Sequence, residues 1–205
     1  MSVNWDSYEI YHPGVVGRLR ALPRAEARRA FEGLMNAKPA RIQMLRRLLD
    51  ANRMKLSASN EAIQDLNDLY RLNVEPDPDE PGRLLPVWYS VTNDVALFLG
   101  DVMIERCPGL EWKFFTWGAR NASYQRHVIM GFSRVLDEKY NIDIDRAVAA
   151  YGHRVVASRG SIPNYGKALV RGREIDVDAA AARARTRPIE EDAFIRWLRL
   201  AEWNA

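Results

Sequence analysis

Apolar residues recur along this chain mainly at helical spacing. Pro23 stands where a first helical residue needs no N–H donor. Behind it Ala27, Ala30, Phe31, Leu34 and Met35 form one stripe, with Arg24, Arg28 and Arg29 largely off it. Asn36-Ala-Lys-Pro39 predicts a break, after which Ile42, Leu45, Leu48 and Leu49 predict a second helix folded back antiparallel on the first. Ser59 suits the N-cap of a third helix, with Ile63, Leu66, Leu69 and Tyr70 inward and Glu61, Asp65 and Asp68 outward. From Glu75 to Gly82, three prolines and four acids in eight residues exclude both helix and central strand, so this stretch is an exposed loop.

In 90–106 the apolar residues Val91, Val95, Ala96, Leu99, Val102, Met103 and Ile104 cover most of a helix circumference. That pattern predicts a nearly buried central helix, stopped by Cys107-Pro-Gly109. Glu111–Trp117 and Tyr124–Met130 are β-branched and aromatic, and the six residues between them predict an antiparallel hairpin. Asp143 caps a further helix carrying Ile144, Val148, Tyr151 and Val155 on one side. Gly160 to Gly166 reads as loop, and 169–170 with 175–177 around Arg171-Gly172 as a second small hairpin. Pro188 is expected to open the last helix, with Phe194, Trp197, Leu198 and Ala201 inward. The sum is an α+β fold: a mostly helical single domain over 1–205 with a small antiparallel sheet at about 111–130. Along it run a helical part (13–73), the acidic Pro-rich loop (75–82) and a helix-hairpin-helix part (83–205).

Composition narrows the class. At 205 residues, 47% hydrophobic and 28% charged, the chain can bury a core, and disordered or fibrous classes are excluded. The lone Cys107 allows no internal disulfide and points to a reducing, cytoplasmic setting. Met1 to Asp6 lack the basic and apolar regions of a signal peptide. The most apolar stretch, Val95 to Leu99, ends at Gly100-Asp101, far short of the roughly 20 residues a membrane span needs.

Charge changes the picture more. The net +3 conceals a block at 11–60 with eleven basic and three acidic residues, net +8, followed by a block at 61–80 of net −6. Lying side by side, the two are expected largely to satisfy each other. Nucleic-acid binding through the basic 18–55 helices is therefore a lesser alternative: no recognition motif accompanies the arginines, and Tyr11 and Phe31 are the only aromatics in 11–60.

Catalytic signatures are scarce. Gly160-Ser-Ile-Pro-Asn-Tyr-Gly166-Lys167-Ala168 fails as a phosphate loop, with five residues between its glycines and no hydroxyl after the lysine. Cys107, His12, His127 and His153 lack ligand spacing, so no metal and no cofactor are expected. Asp94, Asp101 and Glu105, at i, i+7 and i+11, fall within about 40° on one helix face. They suit a solvated edge, internal pairing with the basic helices, a partner contact, or, with His127 and His153, a composite catalytic site. The leading expectation is a non-enzymatic, protein-binding protein meeting a partner's basic surface through Asp77, Asp79, Glu80, Trp88 and Trp203. An immunity or antitoxin-type inhibitor, whose acidic surface plugs a basic active site, is the favoured form. The alternative is the composite carboxylate–histidine enzyme.

Overall fold

A computed structural model describes residues 2–15, 17–80, 82–159 and 188–205, together with the backbone of 167–170 and 173–176. The fold is mostly helical α+β. In chain order its elements are α1 (Arg24–Ala51), α2 (Asn60–Asn73), α3 (Pro86–Arg106), β1 (Glu111–Phe114), β2 (His127–Met130), α4 (Ile144–Ser158), β3 (Lys167–Val170), β4 (Arg173–Asp176) and α5 (Ala193–Asn204).

The centre is α3, whose buried residues include Val91, Val95, Leu99, Val102 and Met103, with α1, α4 and α5 packed around it. Its apolar residues surround the axis because it has neighbours on several sides. Close approach is built in at Gly100, where a Cβ would overlap the Trp112 indole lying across the helix. Gly152 of α4 gives similar room to the Tyr70 hydroxyl of α2. Tyr70 anchors an aromatic cluster, with Trp88 edge-on at 5.7 Å, Tyr151 stacked at 6.3 Å and Phe194 at 5.9 Å.

Two helix starts match their caps: Ser59 Oγ accepts from the Ala62 amide at 3.2 Å, and Asp143 Oδ1 from the Arg146 amide at 3.0 Å. Three other boundaries differ from expectation, the first being that α3 starts at Pro86 and not at 90. The helix pair predicted to break at Asn36–Pro39 is one continuous 28-residue helix with Pro39 inside it. Proline removes one intrahelical hydrogen bond, but tertiary contacts hold both halves: Phe31 meets Phe114 of β1, and α3 packs against the helix around and beyond the proline. Leu34, Leu45, Leu48 and Leu49 are buried, and Lys38 and Arg41, on either side of the proline, pair with Asp101 and Asp94 of α3. The last helix begins at Ala193 rather than at Pro188. Distant side chains hold the intervening backbone: Tyr151 Oη donates to Glu190 O at 2.6 Å, and Asn67 Nδ2 to Glu191 O at 2.6 Å. Asn67 Oδ1 also accepts from the Phe194 amide at 3.3 Å, a helix cap supplied from 127 residues away.

The hairpin pairs Glu111 with Met130 through Phe114 with His127, antiparallel. Its strands are shorter than predicted because pairing turns irregular at Phe115 and Gln125. The Phe115 amide donates to Arg126 O and the Gln125 amide to Phe115 O, with Gln125 at φ +61°. Phe115, Val128 and Met130 make a small separate core, while Phe114 meets Phe31 of α1 at 5.8 Å. The second hairpin is present as β3 and β4, Lys167 opposite Asp176 and Val170 opposite Arg173. The predicted loop at 160–166, the turn at 171–172 and Val177 lie outside the described residues.

An N-terminal strap crosses this framework. The Asn4 amide donates to Asn52 Oδ1 and Asn52 Nδ2 to Asn4 O, both at 2.9 Å. Trp5 stacks edge-on against Trp88 at 5.2 Å, and the Tyr11 amide donates to Ser90 Oγ at 2.7 Å.

Candidate functional site

The predicted acidic ridge of α3 divides into three environments. Asp94 is 0% exposed and accepts from Arg41 Nε at 2.9 Å, Arg41 Nη2 at 2.6 Å, Tyr8 Oη at 2.6 Å and Asn93 Nδ2 at 3.2 Å. Arg41 Nη2 reaches on to Ser90 Oγ at 3.1 Å, so the buried charge pair sits in a closed hydrogen-bonded ring. Burial pushes the Asp94 carboxyl upward, opposed chiefly by the hydrogen bonds from Arg41 and Tyr8. Burial, together with the Asp94 charge, raises the Tyr8 phenol far beyond its ordinary range, which fixes it as a hydrogen donor. Asp101 accepts from Lys38 Nζ at 2.5 Å and from Trp112 Nε1 at 2.9 Å. Glu105 is exposed and forms no ion pair among the described residues.

The histidines have other surroundings. His127 is buried on β2, its Nε2 without a hydrogen-bond partner and 3.8 Å from Asp145 Oδ2. That carboxylate is already bound by Arg126 Nη2 at 2.5 Å, while Arg126 Nε holds Asp143 at 2.5 Å. Burial lowers the pKa of His127, with Asp145 opposing. His153, on α4, faces Tyr89, whose Oη lies 3.4 Å from its Nε2, and burial lowers its pKa as well. No hydrogen bond or ion pair joins any two of Asp94, Asp101, Glu105, His127 and His153 among the described residues. Trp112 stands between two of them, donating to Asp101 while its ring lies 6.0 Å from that of His127. Among the described residues no three His, Cys, Asp or Glu side chains gather to hold a metal ion. Cys107 is buried and free, its thiol pushed upward by burial.

The residues predicted to meet a partner fall into three places. Trp88 is only 1% exposed, enclosed by Trp5 and Tyr70, so it leaves the partner-binding set: its aromatic bulk fills the core. Trp203 is 77% exposed near the end of α5. Its neighbour Glu202 pairs with Arg106, the last residue of α3, whereas the acidic loop joins the chain just before the first. The length of α3 therefore separates Trp203 from the loop by about 30 Å.

The acidic loop itself is ordered by its own groups. Asp77 Oδ1 accepts from the amides of Asp79 at 2.9 Å and Glu80 at 3.1 Å, and Glu80 pairs with Arg83 at 2.5 Å. The basic and acidic blocks do not satisfy each other: the ion pairs of Lys38 and Arg41 go to α3. Among the described residues the acids of 61–80 pair only at Asp68, with Arg71, and at Glu80. Glu61, Asp65, Glu75, Asp77 and Asp79 form no salt bridge among the described residues. Arg24, Arg28, Arg29, Arg46 and Arg47 are exposed along α1.

An open groove of about 650 Å³ runs between α2, the end of α1 and the strap. Val3, Met54, Leu69 and Leu72 supply its apolar lining, and Asp65, Asp68 and Arg53 its charges. A smaller depression, of about 210 Å³, shares Ser2, Val3, Leu72 and Asn73 and reaches Glu75, the first residue of the loop, and Arg159. Leu72 is 62% exposed there. Little in the sequence signals the groove: Leu69, which lines it, belongs to the inward stripe of Ile63, Leu66, Leu69 and Tyr70, and Leu72 falls beside that stripe.

These features describe a mostly helical α+β protein with an acidic, apolar-floored face and a buried charge network at its centre. Compared with known proteins, the chain matches no family model, no curated sequence and no solved structure. Among the described residues no helix is long and apolar enough to cross a membrane.

Proposed function

We propose that this chain is a protein-binding protein that receives a basic segment of its partner along the acidic face formed by α2, the groove and the loop at 75–80. The observation that carries this reading is Leu72, a large apolar side chain left 62% exposed in a groove that also holds Asp65 and Asp68 and leads to Glu75. An exposed apolar anchor beside Asp65 and Glu75, which form no salt bridge among the described residues, suits a segment that offers an apolar side chain between lysines or arginines. Trp203, about 30 Å away by the length of α3, plays no part in this contact. The immunity-type inhibitor is the special case in which the basic segment borders a partner's active site.

The test is co-purification of the tagged full chain from its native cells at low and high salt. Wild-type protein is expected to retain a partner with a basic surface, released as salt screens the acids. Leu72→Ser, and separately Asp77→Asn/Asp79→Asn/Glu80→Gln, are each expected to lose it. Retention unchanged by both sets of substitutions would remove this face from the account. For the inhibitor form, adding the purified chain should suppress the captured partner's activity.

A further inference from the structure

A second cavity, of about 150 Å³, lies between the first half of α1, the strap and the hairpin. One wall is apolar: Ala27, Ala30, Phe31 and Leu34 of α1. The opposite lining includes Tyr11, Asn93, Gln125 and His127. None of the described lining residues is an aspartate, glutamate, lysine or arginine.

The polar groups are already oriented. Gln125 Nε2 spends both its hydrogens on the carbonyls of Leu19, at 2.7 Å, and Leu22, at 2.9 Å. Asn93 Nδ2 donates to Asp94. Gln125 thus commits both amide hydrogens and Asn93 one of its two, and the two amide oxygens are left as acceptors without partners among the described residues. Behind the lining Arg41 is paired one-to-one with Asp94, whereas Arg126 is shared by Asp143 and Asp145, which leaves one excess negative charge beside His127. Burial keeps the His127 ring neutral near pH 7. The site therefore offers an apolar wall, amide acceptors among its polar lining residues and, among the described residues, no charged lining side chain. Its volume is one at which apolar protein cavities admit a benzene-sized molecule.

We propose that this cavity is a binding site for a neutral, single-ring molecule carrying a hydroxyl or N–H donor, its ring against Ala27, Ala30 and Phe31 and its donor toward Gln125 and Asn93. Phenol is the probe, with benzene lacking the donor and benzoate adding a charge. Calorimetric titration of the full chain is expected to show saturable phenol binding with Kd about 1 mM. Benzene should bind about fivefold more weakly for want of the hydrogen bond. Benzoate should bind at least about tenfold more weakly, because the lining holds no cation. Ala30→Leu, on a half-buried wall position, should fill the space and reduce phenol binding at least about tenfold. Should that variant not fold, methyl NMR of the wild type decides: phenol must shift Ala27, Ala30 and Leu34 while leaving the methyls of Leu72 and Leu200 unmoved. Absence of saturation, equal affinity for benzoate, undiminished binding in folded Ala30→Leu, or shifts spread over the surface would each overturn the proposal.

Discussion

Replacing Arg41 by Met isolates the energetics of the buried ring around Asp94. The guanidinium gives Asp94 two charge-assisted hydrogen bonds, at 2.9 and 2.6 Å, and with Arg41 gone the carboxylate retains only Tyr8 and Asn93 as donors. Asp94 has no contact with solvent from which to recover the loss. Stranding one member of such a pair costs about 3–5 kcal/mol, much of the total stability of a typical domain. Removing both members, Arg41→Met with Asp94→Leu, takes away the stranded charge and should recover about 2 kcal/mol or more of that loss. Urea unfolding followed by tryptophan fluorescence measures both, since Trp5 and Trp88 pack together beside the ring. The pH dependence supplies an independent check. In the single variant burial raises the folded-state pKa of Asp94 without opposition from Arg41, while the unfolded value stays at 3.8. Its deficit relative to wild type should thus be full at neutral pH and shrink as pH falls through the raised folded value toward 3.8. A loss below about 1 kcal/mol, the scale of a solvated surface pair, would refute the reasoning.

Three further outcomes are expected. Pro39→Ala restores an amide donor inside α1 and should stabilise the protein by up to about 3 kcal/mol in the same urea assay; a loss of stability would contradict a continuous helix. The folded-state pKa of buried His127 lies below 6.5, so its contribution is complete above that value and is lost as pH falls from 6.5 through the lowered folded value. His127→Gln should accordingly flatten the decline of the unfolding midpoint on acidification, as measured by urea titrations across that range. Gly100→Ala places a methyl against the Trp112 indole and should cost about 1–3 kcal/mol, with a change in tryptophan emission as Trp112 leaves Asp101; unchanged emission and stability would argue against that contact.

What could be read from the sequence was what acts locally. Ser59 and Asp143 cap the helices they precede, because a cap bonds to an amide three residues on. The apolar circumference of α3 announced its burial for a similar reason, periodicity being a property of one segment. Pro39 misled because its penalty is local, whereas the contacts that hold both halves of α1 are tertiary. The start of α5 misled in the opposite sense: its amide is capped by Asn67, a residue no local rule connects to it. The ridge of Asp94, Asp101 and Glu105 was visible as a ridge. That it divides into a buried ion pair, a paired half-buried carboxylate and an exposed glutamate depends on which residues of α1 lie opposite. Trp88 and Trp203 looked equivalent in sequence, and only the fold separates a core indole from a surface one. Gln125, Asn93 and Tyr11 carried no signal, since their role comes from the space they enclose.

The N-terminal strap gives this protein an order of assembly. Tyr8 is synthesised 86 residues before Asp94, and Tyr11 79 residues before Ser90, to which its backbone bonds. At about 5–20 residues per second, the strap waits outside the ribosome for roughly 4–17 s before α3 emerges to receive it. During that interval Arg41 is likewise without its counter-charge, which follows it by 53 residues. The delivery of α3 therefore serves as a checkpoint: strap, arginine and carboxylate come together only after Asp94 has been made.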